Sequence, residues 1–241
     1  MNIKPRQITV SGISVQVLRK GIKNLHLGVY PPQGRVRVAA PLRLSDEAVR
    51  LAVVTKLGWI KRQRAKFEAQ PRQSPRELVS GESHYFQGQR YRLRVIERDA
   101  PPAVQVRGRF INLQVRPGQT RSQRETILET WYRQQLKERI GPLVEQWQET
   151  LGVTLSEWGV KKMKTRWGTC NVEARRIWLN LELIKKPAPC LEYIIVHELV
   201  HLLVRHHDDR FVALMNQHLP PWRTHRATLN AAPLSYSHWS Y

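Results

Sequence analysis

Between Leu191 and Val204 the chain is apolar on nearly every side of a helix, yet it carries His197, Glu198 and His201. Leu191, Ile194, Ile195, Val196, Leu199, Val200, Leu202, Leu203 and Val204 leave no broad polar face. A helix that is hydrophobic all round is buried. Two imidazoles and a carboxylate inside such a helix are costly unless they are paired or bind a metal. Residues four apart lie one above the other on a helix. His197 and His201 can therefore turn ring nitrogens toward one Zn²⁺ at about 2.0–2.1 Å. Glu198, beside the first ligand, can reach a metal-activated water as a general base. The bland alternative, hydrogen-bonded core histidines and an exposed glutamate, sits poorly with that burial.

A catalytic zinc takes a third protein ligand and leaves one position for water. After His201 the chain contains no glutamate. His206, His207, Asp208, Asp209, His218, His225 and His238 remain as candidates. His207 is preferred, because five residues after His201 allow the chain to leave the helix and fold back. The spacer from Leu202 to His206 has no glycine, so the reversal is expected to use His206 in the left-handed region. His206 as the ligand is the alternative, and His225 on a later helix is a weaker one.

The blocks Arg166-Trp167-Gly168-Thr169-Cys170, Trp178-Leu179-Asn180 and Glu192 to His201, followed by His207 and Phe211, resemble the YgjP-like metal-dependent hydrolases. These are relatives of the SprT and WLM zinc metallopeptidases. Gly88, Tyr91 and Trp59-Ile60 extend the resemblance weakly toward the N-terminus. The resemblance implies a zincin-like catalytic domain, a metal site at His197, His201 and His207, and a catalytic Glu198. It also implies a second chemistry, since uridine-triphosphate pyrophosphatase activity is associated with that family. The chain departs from the pattern at His206, Asp208 and Val212, where Asn, Ser and Trp are usual.

Forty Lys and Arg against nineteen Asp and Glu give a formal charge of +21, which draws anions to the surface. Nucleic acid is a candidate partner on that ground. The basic residues are spread along the chain, so no discrete binding segment follows from the sequence. Cys170 and Cys190 are too few for a disulfide framework and read as reduced thiols. Lys4, Arg6, Arg19 and Lys20 interrupt the first twenty residues, so no secretory signal is expected, and no apolar run reaches membrane-spanning length. A cytoplasmic location is the expectation.

The organisation reads as α+β. A β-rich accessory region with one long helix is expected over 1–118, and a zincin-like hydrolase domain with the His197–His201 helix over 119–241. Strands are expected at Ile8–Val10, Ser14–Leu18, Leu25–Tyr30 and Arg35–Val38, the last two joined by Pro31–Gly34. Ser45 should cap one helix from Asp46 to about Phe67, with Trp59 and Ile60 on its apolar side. Further strands are expected near His84–Phe86, Arg90–Val95, Ala103–Val106 and Phe110–Val115. Arg90, Arg92 and Arg94 fall on one face of theirs, read as a solvated face, with an anion-binding stripe as the alternative. A long helix from about Ser122 to Thr150 follows. Val160–Thr165 and Arg176–Leu181 read as a hairpin, and no internal repeat is evident.

The expected chemistry is hydrolysis by a Zn²⁺-activated water, with a peptide or protein as substrate. Nucleoside triphosphate hydrolysis at the same metal is the alternative. A DNA-associated protease and a zinc-containing binding module are the others, and Glu198 argues against a purely structural zinc. Lys164, Arg166, Arg223 and His225 are the candidate substrate- or anion-binding residues. Cys170 has no histidine at nucleophile–base spacing and is given no catalytic role.

Overall fold

Period-two alternation over Ile13–Lys20 turns Ile13, Val15 and Val17 to one side and Ser14 and Gln16 to the other, as a half-buried strand requires. The computed structural model describes residues 6–30, 34–69, 76–163 and 166–231. They divide into two units, one within residues 6–69 and one within 76–231. In the first, β1 (Arg6–Val10), β2 (Ile13–Lys20), β3 (His26–Tyr30) and β4 (Arg35–Pro41) form a sheet in the order β1-β2-β4-β3. β1–β2 and β3–β4 are antiparallel, whereas β2 and β4 pair in parallel. The helices α1 (Asp46–Thr55) and α2 (Leu57–Ala69) follow. Val15, Val38, Val49, Val53 and Ile60 share one core.

Ser45 caps α1 as expected, its Oγ accepting from Ala48 N at 3.1 Å. The single helix expected from Asp46 is two. The chain leaves helical geometry at Lys56 (φ −100°, ψ 9°), whose N–H bonds back to Val53 O, and the second helix starts at Leu57. Ile60 is buried but Trp59 is 36% exposed, since neighbours on a helix point about 100° apart.

The second unit repeats the first unit's strand plan. β5 (Ser83–Phe86), β6 (Gln89–Glu97), β7 (Ala103–Arg107) and β8 (Phe110–Val115) lie in the order β5-β6-β8-β7, again with a parallel central pair. Both first hairpins turn through two residues of positive φ, Ser11-Gly12 (48°, 76°) and Gln87-Gly88 (51°, 77°), as type I′ turns do. The repeat is absent from the residue identities because pleat alternation and a turn glycine can specify this plan with many side chains.

α3 (Arg121–Leu151) starts at a capping box in which Thr120 and Gln123 satisfy each other's backbone N–H groups. Its face of Leu128, Tyr132, Leu136, Ile140 and Val144 shares a core with Leu93, Ile111, Leu113 and Val115 of the sheet. The two units part before residue 76, and the expected boundary at 118 falls within the second. Strands β5–β8 bury their apolar face with α3.

A smaller sheet has the order β10-β11-β9, formed by β9 (Glu157–Lys161), β10 (Gly168–Asn171) and β11 (Arg176–Asn180). The hairpin expected of Val160–Thr165 with Arg176–Leu181 is corrected in strand direction and partner. β11 pairs antiparallel with β10, while β9 joins it in parallel. Asn180, at the end of β11, donates through Nδ2 to Met163 O and Arg166 O at 2.9 and 2.8 Å. A 3₁₀ turn (Leu181–Lys185) leads into α4 (Ala188–Val200), then α5 (Asp209–His218) and α6 (Trp222–Ala231). The architecture is mixed α+β, and none of the described helices is long and apolar enough to cross a membrane.

Candidate metal centre

Proline at the start of α4 costs no hydrogen bond, because the first N–H groups of a helix have no partner within it. The approach to α4 is fixed from the sheet. At the β5–β6 turn, Gln87 N and Gly88 N donate to Ile184 O and Lys185 O at 2.8 and 3.2 Å. A Cβ on Gly88 would stand 2.8 Å from Pro187 Cγ. Trp147 on α3 donates its indole N–H to Glu192 Oε1 at 3.2 Å. Leu191, Ile194, Ile195, Val196, Leu199 and Val200 are buried as their apolarity requires, whereas Leu203, beyond the helix, is 39% exposed.

Helix α4 ends at Val200, with His201 as its C-terminal cap. Leu202 N bonds to Leu199 O, and Leu203 N and Val204 N both bond to Val200 O, each at 2.9 Å. These tight turns reverse the chain without a left-handed residue, so His206 does not take the conformation expected of it. Asp208 then caps α5 by accepting from Phe211 N at 3.0 Å, which commits its carboxylate to the helix. His207, just before the cap, is returned to α4.

The result is a cluster of His197, His201 and His207 whose nitrogens all lie within 4.8 Å of one another. His197 Nε2 and His207 Nε2 are 3.0 Å apart. Metal bonds of about 2.0–2.1 Å at tetrahedral angles space ligand nitrogens by about 3.4 Å, so the set fits a zinc-sized cation. His201 Nδ1 faces Val204 O at 3.1 Å; a proton there leaves Nε2 to ligate. His197 Nδ1 is buried without a hydrogen-bond partner. Burial first, then the neighbouring His201, His207 and Arg226, lower the His197 pKa to about 3. Burial also lowers His201. Both rings are thereby held neutral, the form that binds metal. The ring of Phe211 lies 4.7–5.0 Å from all three imidazoles, centre to centre. Tyr193 meets His197 edge-on at 5.8 Å and stacks on Trp222. The centre thus has an aromatic wall.

Glu198 is only 6% exposed. Burial pushes its carboxyl up to about 8, partly offset by the Arg166 guanidinium. A bound cation would pull it down again. β10 runs directly over it: a Cβ on Gly168 would stand 2.5 Å from Glu198 Oε1 and 2.8 Å from its Cγ. Gly168 is therefore what lets the strand approach the carboxylate.

The remaining candidates separate. Arg166 acts on Glu198 electrostatically, and its loop is held by Asn180. Lys164 and His238 lie outside the described residues. Arg223 donates to Asn216 Oδ1 at 2.6 Å and lies over the Trp222 ring. His225 presents its backbone oxygen to Cys190 Sγ at 3.8 Å. Neither Arg223, His225, His206 nor His218 joins the cluster. Arg226, unnoticed in the sequence, is the α6 cation whose charge reaches His197; one helical turn from Trp222, its position was the available signal. Both cysteines are free thiols. Cys170 is pushed up to about 11 by burial and by Glu198, which suits no nucleophile.

The family described as YgjP-like, metallopeptidase domain, matches residues 24–232. No curated protein and no solved structure matches the chain.

Proposed function

Because the chain belongs to the YgjP-like family, a metallopeptidase-domain family, we propose that it is a zinc-dependent hydrolase with a zincin-like catalytic domain, cleaving peptide bonds with an activated water. The contact between Gly168 and Glu198 carries this reading. β10 is an edge of its sheet among the described strands. An extended peptide could pair with that edge, laying a scissile bond beside Glu198. Zn²⁺ held by His197, His201 and His207 would lower the pKa of a water toward about 7 and polarise the attacked oxygen. Glu198 takes the proton of the attacking water and passes it to the leaving amine. Phe211 packs against all three imidazoles and Tyr193, backed by Trp222, against His197, which would hold the rings in place.

The charges of Arg166 and Arg226 at the centre favour a second reading, hydrolysis of a nucleoside triphosphate by the same groups. Unfolded protein and nucleoside triphosphates offered side by side to zinc-loaded protein separate the two. Peptide cleavage without nucleotide turnover is expected; the reverse would replace the first reading. Zinc content should be one per chain, abolished in His207→Ala and largely kept in His206→Ala. Full zinc in His207→Ala would move the third ligand elsewhere.

A further inference from the structure

The outer face of the β5–β8 sheet is assembled in rows by the strand register. Ser83, Arg92, Phe110 and Arg107 stand side by side across the four strands. Tyr85 and Arg90 form the row before it, and Arg94, Asn112 and Gln105 the row after. Along β6, Arg90, Arg92 and Arg94 repeat every second residue, a stride of about 7 Å. No acidic residue occupies these rows. Elsewhere arginines find carboxylates, as Arg19 does Asp46, Arg124 Glu97 and Arg176 Glu157. Among the described residues, Arg90, Arg92, Arg94, Arg107 and Arg109 form no ion pair. At one end of the rows a cleft of about 610 Å³ opens between Arg90, Arg92, Arg109, Tyr91 and Phe110. The Arg94 guanidinium lies 4.0 Å from the Phe110 ring centre.

We propose that this sheet face binds single-stranded nucleic acid. The arginines offer forked donors to successive phosphates. The Phe110–Arg94 stack offers a flat surface at the middle of the face, and unpaired bases stack on guanidinium planes as on aromatic rings. Asn112 and Gln105, in the next row, carry amides able to meet base edges. A merely solvated face would need neither the aromatic ring at the centre of the arginines nor the exclusion of carboxylates from every row. The paired bases of a duplex cannot reach the ring, which selects a single strand over a double one. An acidic peptide could meet the charges but would leave the stack unused. The proposal stands apart from the peptidase reading, since its test reads binding and not turnover.

The test is fluorescence anisotropy of a labelled twelve-nucleotide single strand, as RNA and as DNA, against the full chain over a salt series. Four proteins are compared with wild type: Arg90→Gln/Arg92→Gln, Phe110→Leu, Phe110→Tyr, and the charge-matched control Arg50→Gln/Lys137→Gln, drawn from exposed positions elsewhere. The arginine pair should weaken binding by about tenfold or more and reduce the slope of log K against log salt by about 1.4, at about 0.7 per phosphate contact. Phe110→Leu should weaken binding several-fold with the slope unchanged, and Phe110→Tyr should restore it. The control should change affinity less than about twofold. Equal RNA and DNA affinity leaves phosphate and base as the ligand, and a preference for RNA adds the 2′-hydroxyl. An equal loss in the control, no loss in Phe110→Leu, tighter binding of duplex, or displacement by polyglutamate at matched charge would each overturn the proposal.

Discussion

In the proposed mechanism Gly168 matters to the chemistry without being one of the residues that would hold the metal. The Gly168→Ala Cβ would stand 2.5 Å from Glu198 Oε1, so either the carboxylate or the strand must shift. A displaced general base costs rate, and one ångström can cost about 10²-fold. Gly168→Ala should therefore lose about 10²-fold in turnover while its zinc content stays at one per chain. Unchanged turnover would show that β10 does not position Glu198. His197, Glu198 and His201 are legible in the sequence because a helix fixes neighbours four apart. His207 is legible because the spacer must fold back. The contact of Gly168 with Glu198 spans thirty residues and depends on strand register, which residue spacing does not encode. For the same reason the hydrogen bonds of Asn180 to Met163 O and Arg166 O became readable only in three dimensions.

At the scale of elements, the turn between β5 and β6 does two jobs. Its type I′ geometry demands positive φ at Gly88 (77°), and its N–H groups anchor the 3₁₀ turn that launches α4. Gly88→Ala meets both the φ strain and Pro187, with a Cβ 2.8 Å from its Cγ. We expect a loss of about 1–3 kcal/mol, read as a lower urea midpoint. A variant as stable as wild type would mean that the turn moves freely and does not anchor α4. The strands themselves were plain from alternation. Their parallel central pairings were not, because alternation says which face a residue takes and nothing about its neighbour strand. The break at Lys56 was likewise hidden. Leu57 continues the apolar pattern across it, and only the backbone geometry at Lys56 reveals two helices.

The described residues form two cores, one with α1 and α2 and one that includes Tyr193, Phe211 and Trp222 beside the histidine cluster. The second contains a buried titratable group remote from the cluster. His84 is 6% exposed, and burial lowers its pKa to about 4, with Arg76 and Lys185 adding to the effect and Glu82 opposing it. Its folded pKa lies below the unfolded value of 6.5. Above pH 6.5 both states hold it neutral. Between 6.5 and about 4 the unfolded chain takes up a proton that the folded one refuses, so stability falls as pH falls. At about 1.4 kcal/mol per pH unit this is a loss of a few kcal/mol at most. Urea midpoints should drop across that window in wild type and drop less in His84→Leu. Equal slopes would assign the acid sensitivity to other groups.

Glu198→Gln tests the central claim most directly, because it keeps the size of the side chain and removes its basicity. Zinc content and hydrolysis of the substrate that proves real should be measured on the same zinc-loaded preparation. The variant should keep one zinc per chain and its thermal midpoint, and lose at least about 10²-fold in turnover, as loss of a general base requires. Near-normal turnover with full zinc would contradict the assignment of proton transfer to Glu198, whether the substrate were a peptide or a nucleotide.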